Sequence, residues 1–330
     1  MTANDTPSAA EVLRDKGWIP AGVSVTRTEI AGAGNMNLVE RVHLSDGGSL
    51  ILKRSRGWVE KYPDISAPVE RAAVEAAFYQ SVRGTAAGAA MPKHLGFDAS
   101  DATNLYEDLG EGRDGSFVYS GGDLPIEHVE AVADWAAALH AVPVTEEMST
   151  SFSNMAMREL NALHIFDFPL DPQNGFPLDD ITPGLQAAGD ALKADSAFKT
   201  AVKSVADRYR SRDAKPGDVL LHGDLYPGSW LTTERGLFVI DPEFCWIGPP
   251  EWDLGVLAAH LQLSSQPISH THRLLERYGR PFDRALLDQI TGIEIMRRLI
   301  GVAQLPLEID LSRKIELLDL ARTLVIGRDA

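Results

Sequence analysis

Residues 220–246 read LLHGDLYPGSWLTTERGLFVIDPEFCW, and this stretch carries the clearest structural pattern in the chain. Two short apolar runs flank the turn TERG at 233–236, which is typical of a β-hairpin. Asp224 lies on a loop before the hairpin, and Asp241 ends its second strand. Because a hairpin brings the chain back towards its starting point, we expect the carboxylates of Asp224 and Asp241 to lie close together.

Two neighbouring carboxylates in this arrangement suit phosphoryl transfer to a hydroxyl group. That reaction needs a carboxylate that accepts the hydroxyl proton and oxygen ligands that hold Mg²⁺ against the phosphates. Asp224 suits the first role, while Asp241 and Glu243 offer hard oxygen ligands. Taken alone, His-Gly-Asp is a common turn and Asp-Pro-Glu a common helix start, but the two motifs on either side of one hairpin favour a kinase. Asp253, at the start of the next helix, is interpreted as a structural residue that caps this helix or supports the Asp224 loop.

A glycine-containing turn near the N-terminus is the candidate phosphate-binding segment. It contains Gly32, Gly34, Asn35 and Asn37, and it precedes the first strand of a predicted hairpin. Glycines let backbone amides approach phosphate oxygens closely. Any tight turn could use the same residues, so the motif by itself is weak.

Lys53 and Glu75 follow this turn in the order that a nucleotide site requires. Lys53 ends the predicted strand 49–53, from which its ammonium group could reach the α- and β-phosphates of ATP. Glu75 lies on the predicted helix 69–82 and could form an ion pair that holds Lys53 in place. Each residue alone would be interpreted as a surface charge, but their order before Asp224 favours nucleotide binding.

The succession of predicted elements indicates an α+β protein with a bilobal, protein-kinase-like fold. The first hundred residues are mostly strands with one helix, and the proline-containing segment 54–68 is predicted to be a loop. A glycine-rich hinge follows residue 109, and the remainder is mostly helical. We therefore expect a small, β-rich nucleotide-binding lobe at 1–109 and a larger catalytic and substrate-binding lobe at 110–330.

The composition excludes several classes of protein. The 330 residues are 44% hydrophobic, which argues against a disordered chain, and the net charge of −16 argues against nucleic acid as a partner. The single cysteine, Cys245, cannot form an internal disulfide framework or a cysteine-based zinc cluster. The N-terminus lacks the pattern of a signal peptide, and no apolar run is long enough to span a bilayer. We therefore expect a cytoplasmic protein that does not contact membranes.

The motifs together resemble the aminoglycoside-phosphotransferase-like kinases and, within that family, most closely the methylthioribose kinases. The segments that carry the resemblance are 34–39, 107–109, 222–229, 241–253 and 294–301. The resemblance implies ATP and Mg²⁺ as cofactors and places Glu107 and Leu109 at the nucleotide-binding hinge. It also implies that Ser229 helps Asp241 and Glu243 to hold the metal. Tyr226-Pro227 departs from the His-Thr that is usual beside the catalytic aspartate, a loop change that could alter the sugar without altering the chemistry.

The same resemblance implies a sugar acceptor and leaves alternatives open. Arg297 and Arg298 match the sugar-contacting arginines of the family, which implies phosphorylation of 5-methylthioribose or a related 5-substituted ribose at the anomeric hydroxyl. An aminoglycoside or amino-sugar acceptor is the first alternative, but two arginines would repel a polycation. A nucleotide-binding pseudokinase is the second, although Lys53, Asp224, Asp241 and Glu243 are all present. A purely structural helical protein would not explain the spacing of the motifs. Relatives also imply a homodimer, for which the residues themselves indicate no interface.

Overall fold

The N-terminal lobe is built on a five-stranded antiparallel sheet. The computed structural model describes residues 7–32, 34, 36–60 and 62–327. The elements of this lobe are α1 (Ala9–Asp15), β1 (Val25–Ile30), β2 (Asn37–Leu44), β3 (Ser49–Ser55), β4 (Trp58–Val59), β5 (Tyr62–Ser66), α2 (Arg71–Ser81), α3 (Ala86–Ala89), β6 (His94–Asp98) and β7 (Thr103–Glu107). The strand order in the sheet is β1-β2-β3-β7-β6. The predicted hairpin and helix of this lobe are present as β2, β3 and α2.

The alternation of side chains along β3 separates the core of this lobe from its functional face. Leu52 is fully buried and packs with Val42, Leu105 and the helix α1 on one face of the sheet. Lys53, the next residue, points to the opposite face, because successive side chains of a strand alternate. There it meets Glu75 of α2.

One expectation for this lobe is wrong. The sequence predicts a loop over 54–68, but β4 and β5 form a short two-stranded hairpin outside the main sheet. Pro63 is compatible with this hairpin because an edge strand can lack one ladder hydrogen bond. Tyr62, at the start of β5, reaches across to the C-terminal lobe, where its hydroxyl lies 3.5 Å from the carbonyl oxygen of Val302.

The C-terminal lobe consists of helices around two small sheets. Its elements are β8 (Gly112–Asp114), α4 (Ile126–Leu139), α5 (Glu146–Ser151), α6 (Met155–Ala162), α7 (Leu178–Ile181), α8 (Leu185–Ala194), α9 (Ser196–Arg210), β9 (Val219–Leu221), β10 (Trp230–Thr233), β11 (Gly236–Val239), β12 (Trp246–Gly248), α10 (Glu251–Leu263), α11 (Ile268–Tyr278), α12 (Arg284–Ile300) and α13 (Leu311–Ile326). The predicted hairpin is present as β10 and β11, and β8 joins it as a third strand. Within the described part of the chain, no helix combines the length and the apolar character needed to cross a bilayer.

The helices α10, α12 and α13 form the core of this lobe. Nearly every residue of α10 is buried, and the second half of α12 is buried from Ile290 to Ile300. Gly292 permits the close contact of α12 with α13, because a β-carbon there would lie 2.6 Å from the carbonyl oxygen of Ala321. This packing fixes α12, and therefore fixes the arginines that its last turn carries towards the cleft.

Candidate active site

A deep cleft lies between the two lobes and collects most of the residues singled out from the sequence. It encloses a cavity of about 680 Å³, a volume typical of small-molecule sites. The N-terminal lobe contributes Gly32, Gly34, Asn37, Lys53, Glu75, Glu107 and Leu109 to its wall. The C-terminal lobe contributes Asp224, Ser229, Asp241, Glu243, Arg297 and Arg298. The structure therefore brings both halves of the expected site to one cavity.

The loop that carries Asp224 is held by a buried carboxylate. Asp253, fully buried at the start of α10, accepts hydrogen bonds from the backbone amides of His222 at 2.8 Å and Gly223 at 2.9 Å. Burial raises the pKa of Asp253, but its hydrogen bond with His140 and the other groups around it bring that pKa below its usual value. Asp253 thus supports the loop that carries Asp224, one of the two roles expected from the sequence.

Glycine is required at one position of this loop. Gly223 has φ = +88°, and a β-carbon on it would lie 2.1 Å from the carbonyl oxygen of Phe244. On the preceding residue, the Nε2 of His222 lies 2.8 Å from the carbonyl oxygen of Ile240. The Asp224 loop is therefore fastened both to α10 and to the end of β11, immediately before Asp241.

Arg297 and Arg298 both extend towards Asp224. One terminal nitrogen of each guanidinium lies near Asp224 Oδ1, at 3.3 Å for Arg297 and 3.6 Å for Arg298. Adjacent residues on a helix point about 100° apart, so two arginines meet at one oxygen only because long side chains bend inward from the helix end. Their Nε atoms donate to the buried carboxylate of Glu294, at 2.8 Å from Arg298.

A buried hydrogen-bond network lies behind this pair of arginines. His260 Nε2 lies 3.0 Å from Glu294 Oε1, and the Tyr119 hydroxyl lies 2.5 Å from His260 Nδ1. Burial lowers the pKa of His260 to about 4, so the ring is neutral at physiological pH. With one proton on the ring, the geometry places it on Nε2 facing the carboxylate, and Tyr119 donates to Nδ1. This network locks Glu294, and Glu294 in turn orients both arginines.

Lys53 lies between two carboxylates on the wall of the cleft that the N-terminal lobe contributes. Its Nζ lies 2.9 and 2.8 Å from the two oxygens of Glu75 and 2.7 Å from Asp241 Oδ1. Burial lowers the pKa of Lys53, but Asp241 and Glu75 raise it well above its usual value, so the ammonium group keeps its charge. Tyr106 donates a further hydrogen bond of 2.8 Å to Glu75. The ion pair expected from the sequence is therefore formed.

Asp241 adopts an unusual backbone conformation. Its φ of +61° lies in the left-handed region, which costs about 1 kcal/mol or more for a residue other than glycine. Its side chain remains 51% exposed to the cleft, in contrast to its buried neighbours. The backbone geometry thus points this carboxylate into the cavity.

The two remaining candidate metal ligands are already partly engaged. Glu243 Oε2 accepts from Arg71 Nε at 2.9 Å and from Asn37 Nδ2 at 3.0 Å, whereas Oε1 has only Asn37 at 3.2 Å among the described residues. The hydroxyl of Ser229 donates to the backbone oxygen of Asp224 at 2.7 Å, which leaves its lone pairs available. In the described residues no group of three histidine, cysteine or acidic side chains is arranged around a common point. Two carboxylates and one hydroxyl fit Mg²⁺, which usually keeps several waters and binds substrate phosphates.

The other residues predicted to bind the nucleotide occupy different parts of the same wall. Gly32 and Gly34 line the cavity, whereas Asn35 lies outside the described residues. Asn37 turns its amide towards Glu243 rather than towards open space. At the other end, Glu107 accepts a hydrogen bond of 2.9 Å from the backbone of Lys93, and Leu109 is nearly buried.

Sequence reasoning identified Glu75 and Asp253 as supporting residues, but it did not identify Arg71, Glu294 and His260, which hold other parts of the site in place. Arg71 is fully buried and joins Glu243 across 172 positions of sequence, so no local pattern could reveal it. Glu294 had a signal that was not used, since it precedes the two arginines by three and four positions, the spacing at which side chains meet on a helix. His260 lies on another helix, and only the packing of α10 on α12 reveals its contact with Glu294.

Similarity to known proteins covers nearly the whole chain. The profile of the family described as "Phosphotransferase enzyme family" matches residues 27–289. The chain is 30% identical to methylthioribose kinase from Exiguobacterium sibiricum, over 89% of this chain and 84% of that protein. It is 28% identical to methylthioribose kinase from Pectobacterium carotovorum, over 80% of this chain but only 66% of that protein. The structure of a spectinomycin phosphotransferase with ADP and spectinomycin matches 98% of this chain and 99% of its own, with a TM-score of 0.55 and 13% identity. The fold is protein-kinase-like, which confirms the fold class expected from the sequence.

Proposed function

This chain belongs to the phosphotransferase enzyme family and is a small-molecule kinase, and we propose that it phosphorylates a 5-substituted ribose at the anomeric hydroxyl. The first candidate acceptor is 5-methylthioribose, because the two relatives reported above are named methylthioribose kinases. The observation that carries the proposal is the meeting of Asp224 with Arg297 and Arg298 in the cleft that also holds Lys53.

ATP is proposed to lie between the lobes with its phosphates beside Gly32, Gly34 and Asn37, which line the cavity. In this arrangement Lys53 contacts the α- and β-phosphates, and Glu75 holds the side chain of Lys53 extended. Glu107 and Leu109 would lie beside the base at the hinge. A charged lysine held by a buried carboxylate supports this assignment, because phosphate recognition needs a positive charge at a fixed position.

Asp241 and Glu243, with Ser229, are the residues that would hold Mg²⁺. When bound, the metal would neutralise the charge that develops on the phosphates during transfer. Asp241 offers its exposed carboxylate, and Glu243 offers the oxygen that accepts only the long contact from Asn37 among the described residues. The oxygen-only donor set is the reason to prefer Mg²⁺ over a softer metal.

Asp224 is proposed to orient the acceptor hydroxyl and to take up its proton. As the acceptor oxygen forms its bond with the γ-phosphorus, the bond from that phosphorus to the bridging oxygen of ADP breaks, and the hydroxyl proton passes to Asp224. Arg297 and Arg298 orient Asp224 and bind the oxygens of the acceptor. Such positioning and electrostatic stabilisation provide most of the catalysis in phosphoryl transfer.

The charge of the acceptor end favours a sugar without amino groups. The positive charges of Arg297 and Arg298 are balanced by the negative charges of Glu294 and Asp224, so this group of four side chains gives a polycation little attraction. An aminoglycoside or amino sugar is therefore the second candidate.

A screen of ATP consumption tests the proposal directly. The acceptors are methylthioribose, 5-deoxyribose, ribose, glucosamine and kanamycin, and Asp224→Asn is the inactive control. We expect turnover with methylthioribose or 5-deoxyribose that greatly exceeds turnover with the amino sugars. Turnover with kanamycin alone would refute the ribose assignment. Nucleotide binding without turnover on any acceptor would support the pseudokinase alternative.

A further inference from the structure

A π-helical turn next to α12 forms part of the cleft wall. It spans Leu163–Asp167 and continues directly from α6. Helices of this type are rare and occur mostly as single turns at functional sites. The turn packs against α12, the helix that carries the two arginines. It presents His164 to the cavity, together with Asn161 from the preceding helical turn.

His164 leaves a buried ring nitrogen without a partner in the described part of the chain. Its Nδ1 is buried, and no described residue forms a hydrogen bond with this atom. Native structures nearly always satisfy buried polar atoms, and an exception calls for a missing partner. Nδ1 has almost no accessible surface, so a molecule in the cavity can reach the ring only at Nε2, which is not buried and forms no hydrogen bond with a described residue. Because the ring lines the cavity, a bound hydroxyl group can supply the hydrogen bond that Nε2 lacks.

The electrostatic environment keeps His164 neutral. Burial lowers the pKa of His164, and the positive charge of Arg297 lowers it further. Whichever nitrogen of a neutral imidazole carries the proton, Nε2 can pair with a hydroxyl group, because a hydroxyl both donates and accepts. Asn161 adds a second polar atom, because its amide nitrogen contacts the Tyr209 hydroxyl at 3.3 Å while its carbonyl oxygen makes no hydrogen bond among the described residues.

We propose that His164 is a specificity-determining residue that hydrogen-bonds a ring hydroxyl of the sugar bound against Asp224, Arg297 and Arg298. The inference rests on the proposed function, since it assumes that the acceptor binds beside Asp224. A site that hydrogen-bonds a substrate hydroxyl discriminates strongly against an analogue without it, because the protein group is then left unpaired. His164 and the arginines thus contact the acceptor from two neighbouring elements, since the π-helical turn packs against α12.

The test compares His164→Leu with the matched variant His128→Leu. His128 is also partly buried, also has an Nδ1 without a partner among the described residues, and also has a pKa lowered by burial, but it lies on α4 and does not line the cleft. For the acceptor that the screen identifies, we expect His164→Leu to lower kcat/KM about tenfold or more. His128→Leu should leave it unchanged, and His164→Gln, which keeps a donor and an acceptor, should recover part of the loss.

Two further measurements distinguish a contact with the acceptor from a purely structural role of His164. The dissociation constant of ADP should be the same for both leucine variants and the wild type. The melting temperature of His164→Leu should not fall, because the buried Nδ1 has no hydrogen bond with the described residues to lose. Equal acceptor kinetics in the wild type and His164→Leu would overturn the inference while leaving the proposed function intact. A fall in melting temperature with a matching loss of ADP binding would overturn it in favour of a structural role. If the wild type phosphorylates no ribose, the proposed function fails, and the inference fails with it.

Discussion

The substitution Glu294→Gln tests whether one buried carboxylate organises the acceptor end of the cleft. Glu294 is 3% exposed and contacts Arg297, Arg298 and His260. Removal of one partner from a buried ion pair costs about 3–5 kcal/mol, because a charge remains buried without compensation. Asp224 still offers the arginines a partner at 3.3 and 3.6 Å, so we expect about 3 kcal/mol, the lower end of that range.

The pH dependence of this loss has a definite sign. Burial raises the pKa of Glu294, but the two arginines lower it well below the ordinary value of 4.5. A carboxylate with a lowered pKa stabilises the folded state fully above its unfolded pKa, and this contribution disappears as the pH falls. The difference in free energy of unfolding between the wild type and Glu294→Gln should therefore be constant around neutral pH and shrink below about pH 4.5.

The assay combines chemical denaturation with acceptor kinetics. Freed from Glu294, the guanidinium groups of Arg297 and Arg298 should lose their fixed orientation, so the KM for the acceptor should rise while the dissociation constant of ADP stays the same. Glu316→Gln is the matched control, since Glu316 pairs with Arg313 on the surface of α13 at 3.0 Å and is 61% exposed. Exposed pairs contribute about 0–1 kcal/mol, so this variant should be nearly neutral. Equal effects of the two substitutions would refute the reasoning.

Three other variants test the remaining parts of the site. Asp224→Asn should lower kcat by about a hundredfold or more, the usual contribution of a proton acceptor, while retaining ADP binding, and near-normal kcat would remove Asp224 from the mechanism. Lys53→Met should weaken ADP binding about tenfold or more, because a charge-assisted contact to phosphate is lost and Glu75 and Asp241 lose their cation; unchanged binding by calorimetry would contradict this. Burial lowers the pKa of His260 from 6.5 to about 4, so the contribution of its neutral ring to stability is complete above pH 6.5. The free energy of unfolding of the wild type should therefore fall by about 3 kcal/mol as the pH falls to 4. Denaturation of His260→Gln should lack this component, and parallel pH profiles of the two proteins would count against it.

The sequence predicts elements well where local pattern and burial coincide. The hairpin of β10 and β11 has an apolar run on each side of a turn, and it is present where expected. The prediction of a loop over 54–68 is wrong because the two short strands there are mostly exposed, so their composition resembles that of a loop. The strand β6 is missed for a related reason, since none of its residues is fully buried.

In the candidate site, too, some contacts could be predicted from the sequence and others could not. The ion pair of Lys53 with Glu75 could be predicted, because each residue lies at a recognisable position of a regular element. The contacts of Glu243 could not be predicted, because Arg71 and Asn37 come from the other lobe and meet it only after the lobes pack together. Spacing along the chain contains no information about such a contact.

The segment Asp241-Pro242-Glu243 links the two lobes through two separate cations. Asp241 forms an ion pair with Lys53 of β3, and Glu243 forms one with Arg71 of α2. This short segment is therefore bound to the N-terminal lobe at two points. Replacement of either carboxylate would therefore change the angle between the lobes as well as the chemistry at the phosphates. Kinetic defects of such variants should extend to both substrates, although the acceptor is proposed to bind at Asp224, Arg297 and Arg298 rather than at these two residues.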